Sequence, residues 1–136
     1  MRRSIRFAGT AVAVSLLLGG TASAQASPVK GSSGPLSVRM VPSTHHPKVN
    51  ANWPLKVTAT LRGKPAHATA VYEFLFGTSV VSTQYVHGKK HFSFTGHFSD
   101  ELVFPPASEG EPLTLRVVIA ADGHKVSLNW AITSVS

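Results

Sequence analysis

From Leu36 to the C-terminus, apolar and polar residues alternate with a period of two, the spacing of a strand with one buried face. Leu36-Ser37-Val38-Arg39-Met40-Val41 alternates and stops at Pro42, which predicts a first strand. A loop follows over His45–Asn52. Leu55, Val57, Ala59 and Leu61 then alternate with Lys56, Thr58, Thr60 and Arg62, and Gly63-Lys64-Pro65 ends the run. Ala68 to Phe76 predicts a third strand, with Ala70, Tyr72, Phe74 and Phe76 on one face and Val71, Glu73 and Leu75 on the other. Gly77-Thr78 turns the chain into Ser79–Val86, and His87-Gly88-Lys89-Lys90 turns it again. Phe92, Phe94 and Phe98 share one parity and His91 and His97 the other. Glu101–Phe104 reads as a short strand halted by Pro105-Pro106. Leu113, Leu115, Val117 and Ile119 lead into Asp122-Gly123, the strongest hairpin signal in the chain, and Val126, Leu128, Trp130 and Ile132 return.

No segment carries a sustained helical period. Seven or eight short strands with turn signals every 8–12 residues are the pattern of an antiparallel β-sandwich. A small barrel satisfies the same alternation. Facing layers of Val, Leu and Phe would fill the core, with Trp53 and Trp130 the bulkiest pieces. The chain has 136 residues, and its charged share of 14% falls well below the usual quarter. There is no cysteine, so the fold must hold by its core alone. The same absence excludes a thiol nucleophile, a Cys-ligated metal and a lipid-anchored cysteine.

The N-terminus has a different character. Met1-Arg2-Arg3-Ser4-Ile5-Arg6 is positive, Phe7–Leu18 is a largely apolar stretch, and Ala22-Ser23-Ala24 offers small residues where a signal peptidase cuts. The apolar stretch is shorter than the roughly 20 residues of a spanning helix. Residues 1–26 are therefore expected to be a cleaved secretory signal peptide, leaving no stable membrane span. Arg2-Arg3 raises twin-arginine export, but Arg6 stands where that motif takes an apolar residue, which favours the general route. Residues 27–35, rich in Ser, Gly and Pro, read as a flexible linker. With Arg2, Arg3 and Arg6 in the leader, ten of thirteen basic residues remain against six acids, a net charge near +4. These ten are scattered, which argues against a nucleic-acid partner.

Four segments carry a resemblance. Trp53-Pro54-Leu55-Lys56-Val57-Thr58-Ala59, Phe74-Leu75-Phe76-Gly77, Phe98–Pro105 and Pro112–Val118 follow in order. Together they resemble short exported immunoglobulin-like, fibronectin-III-like proteins of high-GC actinobacteria, alone or repeated in larger surface proteins. The resemblance covers Leu36 to Val135 and implies an immunoglobulin-like sandwich over residues 36–136. Its motifs mark strand entries and turns, and it implies no catalytic residue and no defined function.

Histidine is the one enriched reactive type, with seven residues. Outside the cytoplasm imidazoles suit copper or zinc, and His87, His91 and His97 are the metal candidates. His91 and His97 lie about 20 Å apart along an extended strand, so one ion cannot hold both unless the strand bends. No H-E-x-x-H or G-x-S-x-G occurs, and Asp100-Glu101 and Glu109/Glu111 read as solvated loop acids. An enzyme is not expected, nor a cofactor. One signal favours binding: with Tyr72, Phe74 and Phe76 in the core, Val71, Leu75 and Val118 form a half-apolar outer face open to a partner, unless a loop or neighbouring strand buries them. The expectation is an exported, non-enzymatic module that is binding, adhesive or structural, directed at a protein or a cell-envelope glycan. The alternative is an extracytoplasmic copper- or zinc-binding protein.

Overall fold

In the computed structural model, residues 2–5 and 27–136 are described; the apolar stretch Phe7–Leu18 and the cleavage site Ala22-Ser23-Ala24 lie outside them. The strands are β1 (Arg2–Ser4), β2 (Val29–Ser33), β3 (Leu36–Pro42), β4 (Asn52–Leu61), β5 (Lys64–Pro65), β6 (His67–Phe76), β7 (Ser79–Gln84), β8 (Phe92–Thr95), β9 (His97–Val103), β10 (Pro112–Ala121) and β11 (His124–Thr133). One sheet has the order β1-β9-β4-β3-β2, with β5 paired to β4. The other has the order β11-β10-β6-β7, with β8 paired to β6. Every strand pair except β1–β9 is antiparallel. Among the described residues the only helical turn is the 3₁₀ segment Pro106–Ser108, and no helix is long and apolar enough to cross a membrane.

The alternation in the sequence becomes two facing layers. Leu36, Val38 and Met40 of β3 and Trp53, Leu55, Val57 and Ala59 of β4 point into the core from one sheet. Tyr72, Phe74, Leu115, Val117, Leu128 and Trp130 meet them from the other. Phe104 couples the layers, standing edge-on to Trp53 at 5.5 Å and to Phe74 at 5.6 Å between ring centroids. Edge-to-face pairs of this kind contribute about 0.5–1.5 kcal/mol beyond the area they bury. Asp122 and Gly123 both take positive φ, 48° and 77°, which closes the β10–β11 hairpin with the twist its strands require.

The alternation also conceals a corner. Phe92–Phe98 reads as one strand, yet β8 pairs with β6 in one sheet and β9 with β4 in the other. The crossing is made at Gly96, where φ is 77° and a Cβ would stand 2.9 Å from Pro65 Cβ. Only glycine fits both demands. Backbone bonds then lock the corner, with Ala59 N–H donating to Gly96 O and Gly96 N–H to Ala66 O, each at 2.8 Å.

Two expectations need correction. Residues 27–35 are not a tether throughout: Val29–Ser33 form β2, paired antiparallel to β3 from Val29↔Met40 to Ser33↔Leu36. The glycine at position 31 is what the site needs, because β2 lies across β11 so closely that a Cβ there would meet Val126 Cγ1 at 2.6 Å. Nor are Asp100 and Glu101 loop acids. Both lie within β9 and are half-buried, and Asp100 pairs with Leu55 on the same parity as Phe98 and Leu102.

The expected loop at His45–Asn52 acts as a strap. Trp53 Nε1 and Trp130 Nε1, from opposite sheets, both donate to Thr44 O at 3.0 and 3.1 Å. His45 stacks on Trp130 with ring centroids 3.7 Å apart and planes 5° from parallel, and its Nδ1 donates to Ala131 O at 2.6 Å. A carbonyl can only accept, so the tautomer follows from the contact. Thr133 N–H to His45 O and Val135 N–H to Pro47 O then tie the C-terminal residues to the strap, each at 2.9 Å.

Candidate functional site

The outer face of the β11-β10-β6-β7 sheet follows from register. Val71 stands opposite Val118, Glu73 opposite Arg116, and Leu75 opposite Thr114 on β10 and Val80 on β7. Val71, Leu75 and Val118 thus share the outward parity, and the structure does not make them one open patch. Val71 and Leu75 are 8% and 7% exposed, because β6 is a central strand whose outward side chains are flanked on both sides; Val118 is half-buried. Between the two apolar pairs, Arg116 Nε and Nη2 donate to Glu73 Oε1 at 3.2 and 3.1 Å. This ion pair divides the face into two small apolar islands.

Open apolar surface lies one strand further out. Phe76, Val80 and Tyr85 are 42%, 46% and 56% exposed. They sit at the end of β6, on β7 and just beyond β7, which is the edge of its sheet. Phe76 has the core parity of Phe74 but stands at the hairpin tip beside Gly77, past the cover of the facing sheet. The β6–β7 register shifts between Phe74↔Ser82 and Leu75↔Val80, so Val81 is the extra residue of a bulge. In the sequence, the pair Val80-Val81 interrupts the alternation and is the only local sign of it. The inward side of β7 is polar, with buried Gln84 Nε2 donating to Ser82 Oγ at 3.0 Å. β7 is therefore held by few apolar contacts and, among the described residues, presents an unpaired backbone edge beside exposed apolar side chains.

The histidines do not converge. His87 occupies a tight turn with φ 51°, closed by reciprocal bonds between Val86 and Lys89 at 2.9 and 3.0 Å. His91 is exposed and precedes β8, whereas His97 lies beyond the Gly96 corner, opposite Thr58 in the other sheet. The strand does bend, but the bend carries His97 into a different sheet from β8. Among the described residues no group of three or more His, Cys, Asp or Glu is placed to hold a metal ion. His87 instead borders a cleft of about 350 Å³ with Lys56, Val86, Phe98, Asp100 and Glu101, beside β9.

Against family models, curated proteins and solved structures, the chain matches none.

Proposed function

We propose that this chain is an exported, non-enzymatic immunoglobulin-like module that binds a partner at the cell surface or outside the cell. The immunoglobulin-like part is supported by strand order. β3-β4-β9 facing β11-β10-β6-β7 follows the A-B-E and G-F-C-C′ arrangement of that fold, with β2 added beside β3. Export is supported by the charged, apolar and small-residue succession of residues 1–24.

The observation that carries the binding reading is the β7 edge, where Val80 and, at the two ends of the strand, Phe76 and Tyr85 are exposed beside backbone that no other described strand pairs. An edge strand supplies main-chain hydrogen bonds to an added strand, and flanking apolar side chains supply selectivity. That combination favours a protein partner over a glycan.

The test is a titration of the purified exported protein onto envelopes of the producing cells. Saturable binding that disappears when the envelopes are treated with protease supports the reading. Binding that survives protease and disappears on glycan hydrolysis would move the partner to the envelope polysaccharide. No saturable binding to envelope or secreted proteins would remove the function.

A further inference from the structure

The edge of the first sheet is closed by a segment that the export reading removes. β1 lies parallel to β9 in the register Arg2↔Glu101, Arg3↔Leu102 and Ser4↔Val103. Ile5 follows, donating its N–H to Val103 O at 3.0 Å, and at 1% exposure it belongs to the same core as Trp53, Leu102 and Phe104. These residues are the positive head of the leader. A side chain this deeply buried leaves a slot when it departs, and β9 is left with an unpaired edge.

We propose that Arg2–Ile5 is a removable masking strand, and that leader cleavage turns the β9 edge into a strand-addition site for an extended segment of another protein. This rests on the export reading above. The occupant's chemistry is written in what occupies the site now. Two basic residues, a small residue and an aliphatic one run parallel to β9, with the aliphatic side chain in the slot beside Val103.

Charge on β9 agrees with this. Asp100 and Glu101 are two of only six acids in a chain of net charge +7, and both lie on β9. An acidic residue of inward parity, such as Asp100, discourages indiscriminate pairing by ordinary apolar strands. A basic segment remains acceptable. The cleft bordered by Lys56, His87, Asp100 and Glu101 continues the same edge toward His97, past the end of β1. A longer partner would extend its N-terminal side into it.

The experiment uses the full, unprocessed chain. A fluorescent peptide with the sequence of residues 1–8 is titrated by anisotropy against the natural chain, Ile5→Asp and Ile5→Ala. Ile5→Asp expels the masking strand, and Ile5→Ala empties the slot should the first variant fold poorly. The peptide is expected to bind the variants about tenfold or more tightly than the natural chain. A peptide carrying Ile5→Asp should bind none of them. Equal binding to natural and variant chains, or no binding to a folded variant, would overturn the proposal. Failure of the export reading is read separately, as intact Met1 in the mass of the protein recovered from its producing cells, and does not alter the anisotropy result.

Discussion

Trp53 and Trp130 belong to opposite sheets, yet their indole N–H groups meet on one acceptor, the carbonyl oxygen of Thr44. A single backbone group therefore joins β4 to β11 across the end of the sandwich. Removing one indole donor by Trp→Phe leaves the carbonyl still paired, so each single substitution should cost about 1 kcal/mol from the lost bond plus whatever packing is lost. Removing both strips the carbonyl of its two indole partners. The double variant should cost more than the two singles together by about 0.5 kcal/mol or more, read from urea unfolding. Strict additivity would mean that the shared acceptor couples nothing.

His45 is tied to the same device by its ring stack on Trp130 and its bond to Ala131 O. His45→Ala should lower stability by about 1–2 kcal/mol. His91→Ala, at an exposed position before β8, should stay within about 0.5 kcal/mol. Thermal unfolding of the two variants side by side separates a structural histidine from a surface one. Comparable small effects would return His45 to the surface class.

A related expectation concerns metal. His87, His91 and His97 lie on a turn, before β8 and beyond the sheet crossing. Calorimetric titration with Zn²⁺ or Cu²⁺ should give weak, multi-site heats. A one-to-one isotherm in the sub-micromolar range that disappears in His87→Ala would show that these residues do converge.

The sheet crossing makes its own prediction. Gly96→Ala forces a Cβ against Pro65 at a positive φ and should cost about 2–4 kcal/mol, strain and clash together. Gly77→Ala also has a positive φ but meets nothing within 4 Å, so about 1 kcal/mol is expected. Equal costs would mean that the corner relaxes freely.

How much of this was legible in the sequence depends on which residues carry the signal. β3, β4, β10 and β11 could be read because each buries one face and alternates accordingly, and β6 because its aromatic core face keeps the period although its outward residues are buried as well. β2 could not, since Gly31 is required by the close passage of β11, and a glycine beside two serines looks like a linker. The Gly96 crossing stayed hidden because Phe94 and Phe98 keep their parity while changing sheets. At the candidate site, the outward parity of Val71, Leu75 and Val118 was readable. Their burial was not, because it depends on β6 lying between two neighbours. The exposure of Phe76, Val80 and Tyr85 follows from β7 being an edge, a property of strand order that no local pattern encodes.

Phe74, Leu75 and Val80 sample the core, the covered outer face and the open edge, at 0%, 7% and 46% exposure. Phe74→Ala should cost about 3–5 kcal/mol and Leu75→Ala about 2 kcal/mol. Val80→Asp should change stability by no more than about 0.5 kcal/mol. Severe destabilisation by Val80→Asp would mean that β7 is covered.

Val80→Asp in the envelope titration is the most direct measurement of the central claim. The substitution places a charge on the exposed face of β7 beside the unpaired backbone and leaves the core untouched. The expected result is a melting temperature within a few degrees of the natural chain, together with a loss of affinity of about tenfold or more. Unchanged affinity in a folded Val80→Asp protein would contradict it, because the partner would then be meeting the domain somewhere other than the β7 edge.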